Sequence, residues 1–97
     1  MRFEWDEGKS DANLEERGFD FAFATLIFEG PIVVVEDRRR DYGERRFVAI
    51  GIADGFHLTV VFTDRSGTRG RVTRRIISAR RSNRRERLAY DQSFDAF

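Results

Sequence analysis

Between Arg74 and Arg87 the chain carries seven arginines and a single carboxylate, Glu86. A strand-like stretch containing Ile76 and Ile77 runs there into a helix-like one. A guanidinium stays protonated, and its planar fork grips phosphate or carboxylate oxygens through paired hydrogen bonds. The chemistry open to such a stretch is the binding of polyanions and the stabilisation of charge at a phosphorus centre. Clustering carries this reading. Residues 65 to 90 hold ten arginines against one acid, whereas residues 1 to 37 hold ten acids against three bases, so the net charge of +1 conceals a dipolar distribution.

The other reactive groups are few. His57 is the sole histidine, so a paired-imidazole ribonuclease mechanism is excluded, and its place beside the turn Asp54-Gly55 favours a surface role. Without cysteine there is no thiolate nucleophile, no disulfide and no cysteine metal ligand. Asp, Glu and His do not cluster at ligand spacing, and Gly67 and Gly70 lack the lysine and hydroxyl of a nucleotide loop. No metal and no cofactor are expected. Lys9, the one lysine, shares a predicted helix face with Asn13 and reads as a surface ion-pairing group. The triplet Arg38-Arg39-Arg40 falls in a loop and reads as a solvated turn.

Local patterns place these residues on elements. Arg2 to Trp5 alternates as a short strand. Asp6 caps a helix to about Glu16, stopped by Gly18, with Ala12, Leu14 and Phe19 facing inward. Asp20 caps a second short helix holding Phe21 to Phe28, ended by Gly30-Pro31. Strands follow at Ile32 to Glu36, Arg46 to Ala53, His57 to Thr63 and Arg71 to Arg80, with Asp54-Gly55 as a hairpin turn. Asn83 and Glu86 have capping-box spacing and open a last helix. The order β-α-α-β-β-β-β-α implies an α+β protein with helices packed on one face of a mainly antiparallel sheet and the other face left for work.

Ninety-seven residues, 40% of them hydrophobic, make one domain over 1–97, with 91–97 expected as a flexible tail. No apolar run reaches the roughly 18 residues of a membrane span, and the acidic N-terminus lacks signal-peptide regions. A cytoplasmic protein without membrane contact is expected.

Trp5-Asp6-Glu7-x-Lys9, Asn13, Gly18, Phe21, Gly43-Glu44-x-Arg46, Ile50, Thr63-x-Arg65, Arg75-Ile76-Ile77-Ser78-Ala79-Arg80 and Arg85-Glu86-Arg87-x-x-Tyr90 together resemble the BrnT family of bacterial toxins. The resemblance spans about residues 3 to 90. It implies a RelE-like, metal-independent ribonuclease fold with two N-terminal helices on one sheet face and a C-terminal helix. It also implies growth inhibition, a BrnA-like ribbon-helix-helix antitoxin in a heterotetramer, and operator DNA contacted only through that antitoxin. One departure is local: the family commonly reads lysine-histidine-glycine where this chain has Glu16-Arg17-Gly18. Arg17 can bind phosphate there but is a poor acid or base.

Cleaving RNA through its 2′-hydroxyl requires a proton acceptor, a proton donor to the leaving 5′-oxygen, and cations at the phosphate. The family pattern and the predicted central strands point to Arg46, Arg65, Arg75, Arg80 and Glu86 as catalytic candidates, and to Arg17, Arg74, Arg81, Arg84 and Tyr90 as RNA-binding ones. Two tensions stay open. Arg75 and Arg80 have opposite parity, so a regular strand would send them to opposite faces unless it carries a bulge. Glu86 among arginines is a depressed, weak base and serves equally well as a helix cap. A second reading makes the chain a non-catalytic partner of the antitoxin in a DNA-binding repressor. Under either reading, antitoxin contacts are expected at Phe94 and Phe97 or at the rim of the basic face.

Overall fold

The computed structural model describes residues 1–94. Strand β1 (Arg2–Trp5) leads into α1 (Glu7–Arg17), α2 (Phe21–Ala24) and a 3-10 segment (Thr25–Glu29). Strands β2 (Val33–Asp37), β3 (Arg46–Ala53), β4 (Phe56–Ser66) and β5 (Val72–Arg81) follow, and α3 (Arg84–Phe94) closes the chain. The second helix is thus a single α-turn continued as 3-10. Residues 91–94 belong to α3, contrary to the flexible tail expected there. The Tyr90 and Phe94 rings meet at 4.9 Å, and Asp91 reaches His57 at 2.9 Å, so packing holds this last turn. Phe97 lies outside the described residues.

The helix signals act as read. Asp6 accepts the Lys9 amide at 2.9 Å, and Gly18 ends α1 at φ 84°, a left-handed conformation that costs glycine little. Asp20 accepts the Phe23 amide at 2.8 Å. The face that α1 buries is not the expected one, because Ala12 and Leu14 are exposed while Ser10 and Asn13 are buried. Hydrogen bonding outweighs apolar periodicity here. Ser10 Oγ accepts the Phe21 amide at 3.0 Å and Asn13 Nδ2 donates to the Phe19 carbonyl at 2.9 Å, so α1 docks by satisfying the backbone that leads into α2.

The five strands form one mixed sheet in the order β1-β5-β4-β3-β2, with β1 parallel to β5 and every other pair antiparallel. Its helix-covered face carries Ala49, Ala53, Leu58, Val60, Phe62, Ile76 and Ala79, and Phe19, Phe21, Ala24 and Ile27 pack on it. Gly51 marks the closest approach, since a Cβ there would stand 2.8 Å from Ile27 Cβ and 3.0 Å from Ile32 Cγ2.

Between β4 and β5 the register breaks once. Val61 pairs with Ser78 but Phe62 pairs with Ile76, leaving Ile77 as an extra residue in β5. Such a bulge resets side-chain parity. Arg75, opposite Thr63, and Arg80, opposite Thr59, therefore emerge on the same face, the one away from α1 and α2. That face is not wholly free. The Tyr90 ring meets His57 edge-on at 5.4 Å, and its hydroxyl donates to the Pro31 carbonyl at 2.8 Å, so α3 lies over the end near the β3–β4 turn.

Substituting Gly51→Ala is expected to lower unfolding free energy by about 1–3 kcal/mol, the cost of overpacking against Ile27. The same change at Gly30, where a Cβ would meet nothing within 4 Å, should cost far less in parallel urea melts.

Candidate functional site

Strand register places Arg46, Arg65, Arg75 and Arg80 on this second face. Arg46 and Arg75 flank Thr63 on neighbouring strands, and Arg65 lies two residues further along β4. Arg80 stands toward the other end, about 15 Å from Arg75 along the backbone. The face therefore has an arginine trio at one end and Arg80 at the other.

None of the four is an isolated cation. Arg46 donates to Glu44 at 3.0 Å and stacks on the Tyr42 ring at 4.3 Å. Arg80 makes a two-pronged contact with Glu86, at 2.7 and 2.8 Å. Arg65 lies 3.7 Å from Glu4 and 3.6 Å from Glu44, and Arg75 lies 3.9 Å from Glu4. These last contacts are beyond hydrogen-bond length, so a phosphate can recruit Arg65 and Arg75 without first breaking a short bond. The naked cationic surface expected from charge counting is thus corrected to a surface held in position by its own carboxylates. Glu4 comes from β1 and Glu44 from the loop before β3, where residue order gives no sign that they face Arg65.

Glu86 does two things at once. It completes the capping box, accepting the Asn83 amide at 2.8 Å while Asn83 Oδ1 accepts the Glu86 amide at 2.9 Å. Its bonds to Arg80 hold its carboxyl below the usual carboxylate range and hold the Arg80 guanidinium above its own. Both groups stay charged at neutral pH.

Beside this pair lies a concavity of about 350 Å³, lined by Val35, Val48 and Val61, by Thr59 and Ser78, and by Arg39, Arg80 and Glu86. Arg39 had read as part of a solvated triplet. Instead it folds back, its Nε and Nη2 each 2.8 Å from an oxygen of Asp37, whose side chain is only 2% exposed. Tyr42 donates to the same carboxylate at 3.0 Å. Arg39 foremost, with Tyr42, holds the Asp37 carboxyl far below its ordinary range. An aspartate ending a strand two residues before an arginine was the available signal.

Four of the expected RNA contacts fall elsewhere. Arg74 points to the helix-covered face, paired with Asp64 at 2.8 and 2.9 Å and lying over the rings of Phe28 and Phe62. Tyr90 is buried with its hydroxyl committed to Pro31, and burial raises its pKa. Arg17 donates to Asn13 at 2.9 Å and to the Ala79 carbonyl at 3.1 Å, on the edge of β5 beyond the reach of β1. Arg81 covers the Phe56 ring at 4.7 Å, in a separate hollow of about 460 Å³ with Leu14, Phe19 and Phe23. Arg84 is exposed on the first turn of α3. Among the described residues no three His, Asp or Glu side chains lie grouped as metal ligands, and no helix is long and apolar enough to cross a membrane.

Residues 5–86 of the 97-residue chain match the model of a family described as the ribonuclease toxin, BrnT, of type II toxin-antitoxin systems. The chain belongs to the BrnT family. No curated protein matches it. BrnT membership brings a ribonuclease toxin and, with a type II system, a protein antitoxin as partner. The Arg-Ile-Ile-Ser-Ala-Arg run of this member is the segment that carries the bulge.

Asp37 supplies a sign-defined test. Its pKa is lowered in the folded chain, so the unfolded state takes up its proton first as pH falls. Its contribution is full above the unfolded value near 4 and is lost as pH drops toward the folded one. An Asp37→Asn variant should lose less stability than the parent between about pH 5 and pH 2 in chemical denaturation.

Proposed function

We propose that this chain is the RNA-cleaving toxin of its module, acting without metal on the face that carries Arg46, Arg65, Arg75, Arg80 and Glu86. The single observation that carries the reading is the Ile77 bulge, which turns Arg75 and Arg80 toward one another's side of the sheet. In a regular strand one of them would join Arg74 and its neighbours under the helices. The strand order and the paired N-terminal helices further support a RelE-like fold.

The reaction proceeds by attack of the 2′-oxygen on the adjacent phosphorus. The P–O5′ bond breaks, leaving a 2′,3′-cyclic phosphate and a free 5′-hydroxyl. Charge on the crowded phosphate is met by Arg80, already oriented by Glu86, while Arg46, Arg65 and Arg75, oriented by Glu4 and Glu44, hold the strand through a phosphate further along. Preorganised donors of this kind are worth about 2.7–4 kcal/mol each in a comparable oxyanion site. Glu86, the carboxylate lining the concavity, takes the 2′-hydroxyl proton, and a guanidinium or water stabilises the leaving oxygen until it is protonated. Its depressed pKa makes it a slow base. Lys9 and His57 take no part. Lys9 is exposed on α1, and His57 is turned to Asp91 behind α3.

The antitoxin is a BrnA-like ribbon-helix-helix protein that covers this face in a heterotetramer and alone touches operator DNA, all within the cytoplasm. Exposed Leu88 and Phe94 on α3 border the face and give such a partner apolar contacts. The rival reading, a non-catalytic partner in a repressor, predicts intact RNA.

Induced expression without antitoxin should arrest growth and fragment RNA, and Arg80→Ala should abolish both while leaving the protein soluble and folded. Purified protein should cleave equally with and without a chelator. Because Glu86 is ionised well below neutrality, kcat/KM should be flat between about pH 5 and 8. An acid limb centred near neutrality would assign the base elsewhere, and intact RNA at equal protein levels would favour the repressor partner.

A further inference from the structure

Resting on the reading just given, we infer that the valine-floored concavity is a nucleotide subsite in which Arg39 and Arg80 hold the RNA phosphate from opposite sides, with Asp37 as the residue that positions Arg39.

The concavity has two guanidiniums on separate elements. Arg80 comes from the far end of β5, and Arg39 from the loop after β2, with β4 and β3 between the two strands. They are near enough for their charges to interact, since Arg39 acts against the protonation of Arg80. Two like charges facing across a hollow repel, and each is kept in place by its own carboxylate, Asp37 or Glu86. An anion between them relieves that repulsion, so the hollow favours a phosphate over neutral ligands. Arg39 is 76% exposed while Asp37 beneath it is 2% exposed, which leaves the outer edge of the guanidinium free to meet a ligand.

The floor fits the rest of a nucleotide. Val35, Val48 and Val61 offer an apolar surface on which a base can lie, and Val35 is 60% exposed although it stands on a strand. Thr59 is engaged with Ser82 at 2.8 Å, whereas Ser78 stands at the bulge and lines the hollow. A volume of about 350 Å³ is at the lower end of small-ligand sites, enough for one nucleotide and not for a folded domain. Because the floor is aliphatic and no Asn or Gln side chain is among the described residues that line it, base contact is apolar and the subsite tolerates different bases.

The test is binding of a short, mixed-sequence single strand lacking 2′-hydroxyls, so that it cannot be cleaved, followed by cleavage of the matching RNA. Arg39→Ala should weaken binding about tenfold, the usual scale for a lost hydrogen bond to a charged group. It should lower the salt slope of log K by about 0.7, one phosphate contact on a single strand. KM should rise more than kcat falls. Arg39→Lys should restore the salt slope but not the full affinity, because a point charge lacks the fork. Asp37→Asn should weaken binding while the Arg39 charge remains. Arg38→Ala, which removes a neighbouring arginine paired to Glu36 outside the hollow, should bind as the parent does. Thermal melts of each variant separate unfolding from lost contact. Unchanged binding by Arg39→Ala, with cleavage still abolished by Arg80→Ala, would overturn this subsite and leave the ribonuclease reading standing. Full cleavage by both variants would overturn the subsite and the assignment of cleavage to this face together, whereas intact RNA with the parent protein would overturn the ribonuclease reading itself. Weakened antitoxin binding by Arg39→Ala with oligonucleotide affinity intact would assign the hollow to the protein partner and overturn the proposal.

Discussion

One additional residue in β5, Ile77, decides which arginines share a surface. Strand geometry alternates sides, so Arg74, Arg75, Arg80 and Arg81 would sort by parity into Arg74 with Arg80 and Arg75 with Arg81. The bulge opposite the Val61–Phe62 step exchanges these partnerships. Arg75 then joins Arg80, Arg46 and Arg65 on the open face, while Arg74 and Arg81 go to the helix side to cover Phe28, Phe62 and Phe56. The same break lets Ile76 and Ala79 both enter the core, which a regular alternation would forbid. Packing and the proposed function thus place the same demand on this position, since the apolar set and the charged set need the same change of phase.

The charged face that results is ordered by its own counter-ions. Five guanidiniums, of Arg39, Arg46, Arg65, Arg75 and Arg80, are interleaved with Asp37, Glu4, Glu44 and Glu86. Exposed ion pairs of this kind add little to stability. Their larger consequence is orientation: long side chains that would otherwise sample many rotamers are directed before a ligand arrives, which lowers the entropy that binding must supply. The pairing also limits indiscriminate attraction to polyanions, because the face is close to neutral in sum. A phosphate must compete with the carboxylates, and it does so best where several arginines converge on it.

Much of the fold was legible because it is signalled locally. Asp6, Gly18, Asp20, Gly30-Pro31 and Asn83 with Glu86 each mark an element boundary through hydrogen-bond or φ requirements confined to a few residues. The hairpin-turn chemistry at Asp54-Gly55, both at positive φ, is likewise local. What escaped was whatever depends on long-range pairing. The bulge was recognised only as a condition that Arg75 and Arg80 would need, since nothing within β5 alone says where β4 will slip. The buried face of α1 was misread because Ser10 and Asn13 earn their burial from the backbone at Phe19 and Phe21. Tyr90, an RNA-binding candidate from its sequence position, has its hydroxyl taken by the Pro31 carbonyl, an acceptor distant in the chain. Arg39 looked solvated because the loop's return onto the sheet is fixed by Asp37 and Tyr42 rather than by its own composition.

The central claim is that nucleic acid meets the bulge-created face and no other. Its most direct measurement follows the arginine side-chain Nε–H resonances of isotope-labelled protein during titration with a single strand that cannot be cleaved. The account predicts shifts at Arg46, Arg65, Arg75 and Arg80, with Arg74, the sequence neighbour of Arg75 on the opposite side, and Arg17 unchanged. Perturbation of Arg74, Arg17 and Arg81 with the other four silent would contradict it.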